Sequence, residues 1–199
     1  LYPGLKAVLG DDANIDQLTS NACAPILDLY NKRRPNCREL NYGIYSQASK
    51  GAYSTIIIAA NWEGYPDISG LKATLNKVVK SKVEHIILFG PPPHWNNTLP
   101  RELFSNFMSH RNTIVPKRLA SGLSEATKNI DERLSVLAMQ AGIEYISILG
   151  LFCSDDGCLA RVGDTANDLI SGDEGHLTRA GSRTLFEMIK NNGLTPSIY

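Results

Sequence analysis

Two apolar runs limit the fold of this chain more than any other feature. They are Thr55-Ile56-Ile57-Ile58-Ala59-Ala60 and His85-Ile86-Ile87-Leu88-Phe89. Neither alternates polar with apolar residues, so each reads as a strand buried on both faces. Residues 143–148 read as a further strand and residues 15–19 as a short one. Helical periods lie between them. Ile68, Leu71, Leu75, Val78 and Val79 share one face, with Asp67 or Ser69 placed to cap it. Leu123, Ala126, Ile130, Leu134, Leu137, Ala138 and Ala141 form a second stripe, ended by Gly142. Gly181, Leu185, Met188 and Ile189 form a third, with Thr178 as N-cap and Gly193 as the stop. Residues 37–50 also read as helix. Buried strands alternating with amphipathic helices predict an α/β fold with a parallel sheet covered on both faces. In such sheets the reactive groups sit on loops beyond the carboxyl ends of the strands.

A chain of 199 residues reads as one domain, spanning residues 1–199. Lys+Arg and Asp+Glu both number 20, so no global field attracts nucleic acid or an anionic membrane. The four cysteines fall in two local pairs, Cys23 with Cys37 and Cys153 with Cys158, each in a polar loop. Free structural cysteines are usually core residues, so loop placement favours disulfides and hence an oxidising compartment. Bridges within each loop would contribute about 3 and about 2 kcal/mol respectively. A four-cysteine zinc site is the rival reading. It is disfavoured by the absence of C-x2-C spacing or a nearby His.

The polar signals collect after the strands. Asp173 precedes His176 by three residues, ahead of the last helix, with Gly172 and Gly175 allowing a tight loop. An aspartate bonded to one imidazole nitrogen fixes the tautomer and leaves the other nitrogen free to take a proton from a serine. The bland alternative is a surface turn with an Asp cap. Asn61 ends the first apolar run. Its amide can donate to a developing oxyanion, or simply end the strand by local hydrogen bonding. Ser20-Asn21-Ala22-Cys23 offers a backbone N–H, at Ala22, as a second oxyanion donor, or is a loop stapled for stability alone. Trp62 reads as packing or a sugar-stacking platform. His94 reads as an exposed loop histidine, with substrate contact as the alternative. His85 and His110 have no partner in sequence.

Asp173-x-x-His176-Leu177-Thr178-x-x-Gly181 resembles the terminal block of the SGNH (GDSL-type) hydrolase superfamily. Ala59-Ala60-Asn61-Trp62 is similar to a variant of that family's Gly-x-Asn-Asp block, with the Gly and the Asp replaced. Ser20 to Pro25 resembles a Cys-Pro loop of one branch, and Cys153-x4-Cys158 is similar to the same branch. That branch is the extracytoplasmic SGNH domain fused to, or working with, bacterial membrane acyltransferases of family 3.

The resemblance implies a three-layer α/β/α flavodoxin-like fold and O-acylation of a cell-surface polysaccharide such as lipopolysaccharide. It also implies a periplasmic or extracytoplasmic location with membrane tethering in the full-length protein, an acyl donor and a carbohydrate acceptor as partners, and no metal or organic cofactor. His176 would be the base, Asp173 its orienting partner, and Asn61 with Ala22 the oxyanion donors. A carbohydrate esterase of the same fold, or a carbohydrate-binding domain that has lost its serine, are the alternatives.

The family's nucleophile lies in a Gly-Asp-Ser after its first strand. Here Tyr2 to Leu9 resembles the helix that follows, so that strand and its serine are expected just upstream of Leu1. Gly10-Asp11-Asp12 is too close to Ile15 to be that motif. A sheet without its central first strand is costly, so the 199 residues alone are expected to fold poorly. A cooperative melt would overturn this.

Overall fold

A computed structural model describes residues 1–11, 13–65, 67–110 and 115–194; Asp12, part of the Gly10–Asp12 triplet, lies outside them. Three parallel strands make the central sheet in the order β1 (Thr55–Ile58), β2 (His85–Phe89), β4 (Glu144–Ile146). Alternate residues of β2 point to opposite faces, as strand geometry requires. Ile87 and Phe89 join a core with Leu5 of α1 (Tyr2–Leu9) and Leu185, Phe186 and Ile189 of α7 (Arg179–Asn191). Ile86 and Leu88 join a second core with Leu71, Leu75 and Val78 of α3 (Ser69–Val79) and Ile130, Leu134 and Ala138 of α5 (Glu125–Ala141). The result is three layers, α/β/α.

The caps expected at Thr178 and Gly142 are present, whereas the N-cap of α3 is Ile68, with Asp67 bonding the first helical N–H from one residue further out. Thr178 Oγ1 accepts the Gly181 N–H at 3.0 Å. Asp67 Oδ1 accepts the Ser69 N–H at 2.9 Å. Gly142 takes the left-handed conformation that ends α5, at φ 66°. Helix α1 lies hard against α7: the Gly4 N–H donates to Ser182 Oγ, and a Cβ on Gly4 would sit 2.0 Å from the Ser182 carbonyl oxygen.

Several expectations need correction. Residues 15–19 form no strand. A strand exists only through a shared ladder, and no described segment pairs with these residues. Strand β1 is at the edge of the sheet, so Ile56 and Ile57 are half-buried and only Ile58 is buried. The helix expected over 37–50 is α2 (Cys37–Gln47), continued by a π-turn over Ala48–Ala52 in which Gly51 turns left-handed. The additional features include α4 (Leu99–His110), α6 (Ile148–Phe152), and a small antiparallel sheet of β3 (Arg118–Leu119), β5 (Cys153–Ser154) and β6 (Gly157–Leu159).

Both local disulfides are formed, Cys23–Cys37 and Cys153–Cys158, which leaves no free thiol for zinc. The second bridges a directly opposed pair on β5 and β6. No described helix is long and apolar enough to cross a membrane.

Candidate active site

The loop before α7 is a compact hydrogen-bonded turn built around one carboxylate. Asp173 Oδ1 accepts the N–H of Gly175 at 2.9 Å and of His176 at 2.7 Å. Its Oδ2 lies 2.7 Å from His176 Nδ1. Burial alone would raise the Asp173 carboxyl, but the two backbone N–H groups and the His176 ring outweigh it, so its pKa is lowered. Facing an ionised carboxylate, His176 Nδ1 is the donor, so that in the neutral ring Nε2 is the nitrogen able to accept a proton. The His176 side chain is 73% exposed, so Nε2 is reachable from solvent.

Two further groups hold this turn. The buried Ser171 hydroxyl lies 3.0 Å from the carbonyl oxygens of both Asp173 and His176. At Gly181 a Cβ would come within 2.3 Å of the Ile170 carbonyl oxygen. The spacing of Asp173, His176, Thr178 and Gly181 thus has a local cause. One carboxylate closes the turn, a hydroxyl caps the helix, and a glycine lets the helix start press against the chain before the turn.

Asn61 follows β1 and is exposed. Its carbonyl accepts the Gly64 N–H, and its side-chain amide has no hydrogen-bond partner among the described residues. That removes the reading in which the amide ends the strand by local bonding. Trp62 is fully buried and donates its indole N–H to the Phe89 carbonyl at 2.8 Å. It is packing, not a sugar platform.

Ala22 adopts φ 58°, a left-handed conformation uncommon for a residue with a side chain, and its carbonyl accepts the Asn31 amide at 2.7 Å. No described hydrogen bond joins Ala22 to Asn61, Asp173 or His176. His85 begins β2, and His110 closes α4 with Nδ1 3.0 Å from the Asn106 carbonyl oxygen.

His94 departs from expectation. Its side chain is only 20% exposed, and its Nδ1 is buried 3.4 Å from Glu63 Oε1. The segment it begins is stitched to the Asp173 loop. Trp95 donates its N–H to the Glu174 carbonyl and Leu99 donates to that of Asp173. Glu63 also accepts the hydroxyls of Ser124 and Thr127. Sequence reading placed Glu63 in the polar loop after β1 without giving it a role, and passed over Ser171, since neither stands in a motif. The loop after β1, the loop after β2 and the loop before α7 therefore meet at the carboxyl edge of the sheet. Among the described residues no cluster suited to a metal ion is present.

A family model described as "SGNH domain (fused to AT3 domains)" matches residues 1–191. No curated protein matches the chain. Among solved structures, it is similar to the periplasmic domain of a lipopolysaccharide acetyltransferase from Salmonella ser. Paratyphi A. The identity is 26% and the TM-score 0.81, over 96% of this chain and 77% of that one.

Proposed function

The chain belongs to the SGNH family of domains fused to AT3 domains, and on that premise we propose that it transfers an acyl group, in the first instance acetyl, to a cell-surface polysaccharide. The observation that carries this reading is the 2.7 Å contact of Asp173 with His176 Nδ1, which leaves Nε2 free at the carboxyl edge of the sheet. The nucleophile in this reading is a serine upstream of Leu1, on a strand that lies against the open edge of β1. Residues 15–19 would flank that strand. Tyr53, just before β1, already donates its hydroxyl to Asp16 at 2.6 Å.

The steps follow from the geometry. The serine hydroxyl attacks the acyl carbonyl of a donor while His176 Nε2 takes its proton. Asp173 stabilises the imidazolium that results. The Asn61 amide and the Ala22 N–H donate to the oxyanion of the tetrahedral intermediate. Collapse expels the donor's leaving group, which takes the proton from His176. A sugar hydroxyl then gives its proton to His176 and attacks the acyl-serine, and the serine leaves with that proton. No metal or organic cofactor enters these steps. The fused AT3 domain would supply the acyl group, and the disulfides and the periplasmic relative support a periplasmic location. If water replaces the sugar hydroxyl, the same groups make an esterase.

The test is hydrolysis of p-nitrophenyl acetate by the full-length protein. His176→Ala should abolish turnover while lowering the melting temperature only slightly, since the ring is exposed and its contact with Asp173 contributes about 1 kcal/mol or less. Unchanged turnover in that variant would refute the reading.

A further inference from the structure

Gly175 sits between Asp173 and His176, yet its φ is not in the left-handed range, so the backbone does not demand glycine there. Space does. A Cβ on Gly175 would fall 2.5 Å from Cδ2 and 3.3 Å from Nε2 of His94. The His94 ring therefore lies directly over the turn that aims His176. On its other side Nδ1 faces Glu63 Oε1 at 3.4 Å, and it is buried without a hydrogen bond of its own. Glu63 is itself fixed, by the hydroxyls of Ser124 at the start of α5 and Thr127 within it. Native interiors rarely leave a ring nitrogen unpaired, and each such case calls for a reason. A small rotation of the ring would turn this contact into a Glu63–His94 hydrogen bond, and contacts of this kind often become well aligned only when substrate is bound.

We propose that His94, oriented by Glu63, is a positioning residue for the Asp173–His176 pair: its ring fills the volume over Gly175 and fixes the turn that aims His176 Nε2. The inference rests on the reading of that pair as catalytic. It makes the Asn61–Glu63 loop and the Asp173–His176 loop one mechanical unit with His94 as the wedge. The backbone of the wedge is independently secured. The His94 carbonyl accepts the Ser124 N–H at 2.8 Å, and the Trp95 N–H donates to the Glu174 carbonyl at 2.7 Å. Removing the ring thus leaves the segment in place.

The test uses p-nitrophenyl acetate hydrolysis by the full-length protein, with kcat and KM measured separately and a thermal melt for each variant. His94→Ala should lower kcat by about 10- to 100-fold with KM within about twofold, the signature of a misplaced catalytic group. Gly175→Ala should also lower kcat, because its methyl meets the ring. The double variant His94→Ala/Gly175→Ala should turn over faster than Gly175→Ala alone, because the clash is gone. Glu63→Gln retains the packing but loosens the ring, and it should lower kcat in the same direction should His94→Ala fail to fold. Losses that add, or wild-type kcat in His94→Ala or, where that variant does not fold, in Glu63→Gln, would overturn the proposal while leaving an inactive His176→Ala, and the function, intact. Full turnover in His176→Ala would remove the function reading and this inference with it.

Discussion

Asp173 holds His176 twice, by the backbone N–H through Oδ1 and by ring Nδ1 through Oδ2, each at 2.7 Å. One carboxylate thereby sets both where the histidine sits and which tautomer it carries. Asp173→Asn should separate the two functions. The amide oxygen can still accept the backbone N–H, but an amide NH2 facing the ring favours the wrong tautomer. Turnover of the full-length protein should fall by about 10³- to 10⁴-fold while the fold is retained. A loss of less than tenfold would argue against tautomer control.

The lowered pKa of Asp173 makes a pH prediction with a definite sign. A carboxyl whose folded value lies below its unfolded one, near about 3.9, adds stability above that unfolded value. The contribution is lost as pH falls through the folded value. The side chain is 39% exposed, so solvent screening limits the effect to about 1 kcal/mol or less. Melts of wild type and Asp173→Asn should differ at neutral pH and converge below about pH 4. A gap independent of pH would show that the carboxylate's charge is not what matters.

At the start of α7 two substitutions should act on stability and not directly on chemistry. Thr178→Ala loses the hydroxyl that accepts the Gly181 N–H and should cost about 1 kcal/mol. Gly181→Ala forces a methyl against the Ile170 carbonyl oxygen and should cost about 1–3 kcal/mol. Urea unfolding would give both values. A neutral Gly181→Ala would mean that the helix can lift from the preceding chain at no cost.

How much of this was legible in the sequence depends on how local each cause is. Strand β2 and helix α7 carry their signal in their own residues: a continuous apolar run in one, a cap, a stripe and a stop in the other. The Asp173–His176 contact was legible for the same reason, since both partners share one turn. Residues 15–19 look extended, but whether they form a strand depends on a neighbour. β3, β5 and β6 are too short to show a period. His94 was misread because Glu63 and Gly175, which enclose it, lie far along the chain and meet it only when the sheet brings three loop ends together. Ser171 was invisible because a serine gives no hint that it will be buried under two carbonyls.

Asn61 gives the cleanest separation of chemistry from stability. Its side chain is exposed and donates to no described group, so Asn61→Ala removes nothing the resting fold uses. If its amide holds the oxyanion, the full-length protein should lose about 10²- to 10³-fold in kcat. The melting temperature should stay unchanged, since exposed sites away from special features shift stability by about 0.5 kcal/mol at most. Asn61→Asp should be at least as damaging, because a carboxylate has no N–H to offer and repels the developing negative charge. Steady-state kinetics of the two variants alongside their melts decides it. If Asn61→Ala keeps wild-type kcat, the oxyanion is held elsewhere, and the Ala22 N–H would have to carry that role without it.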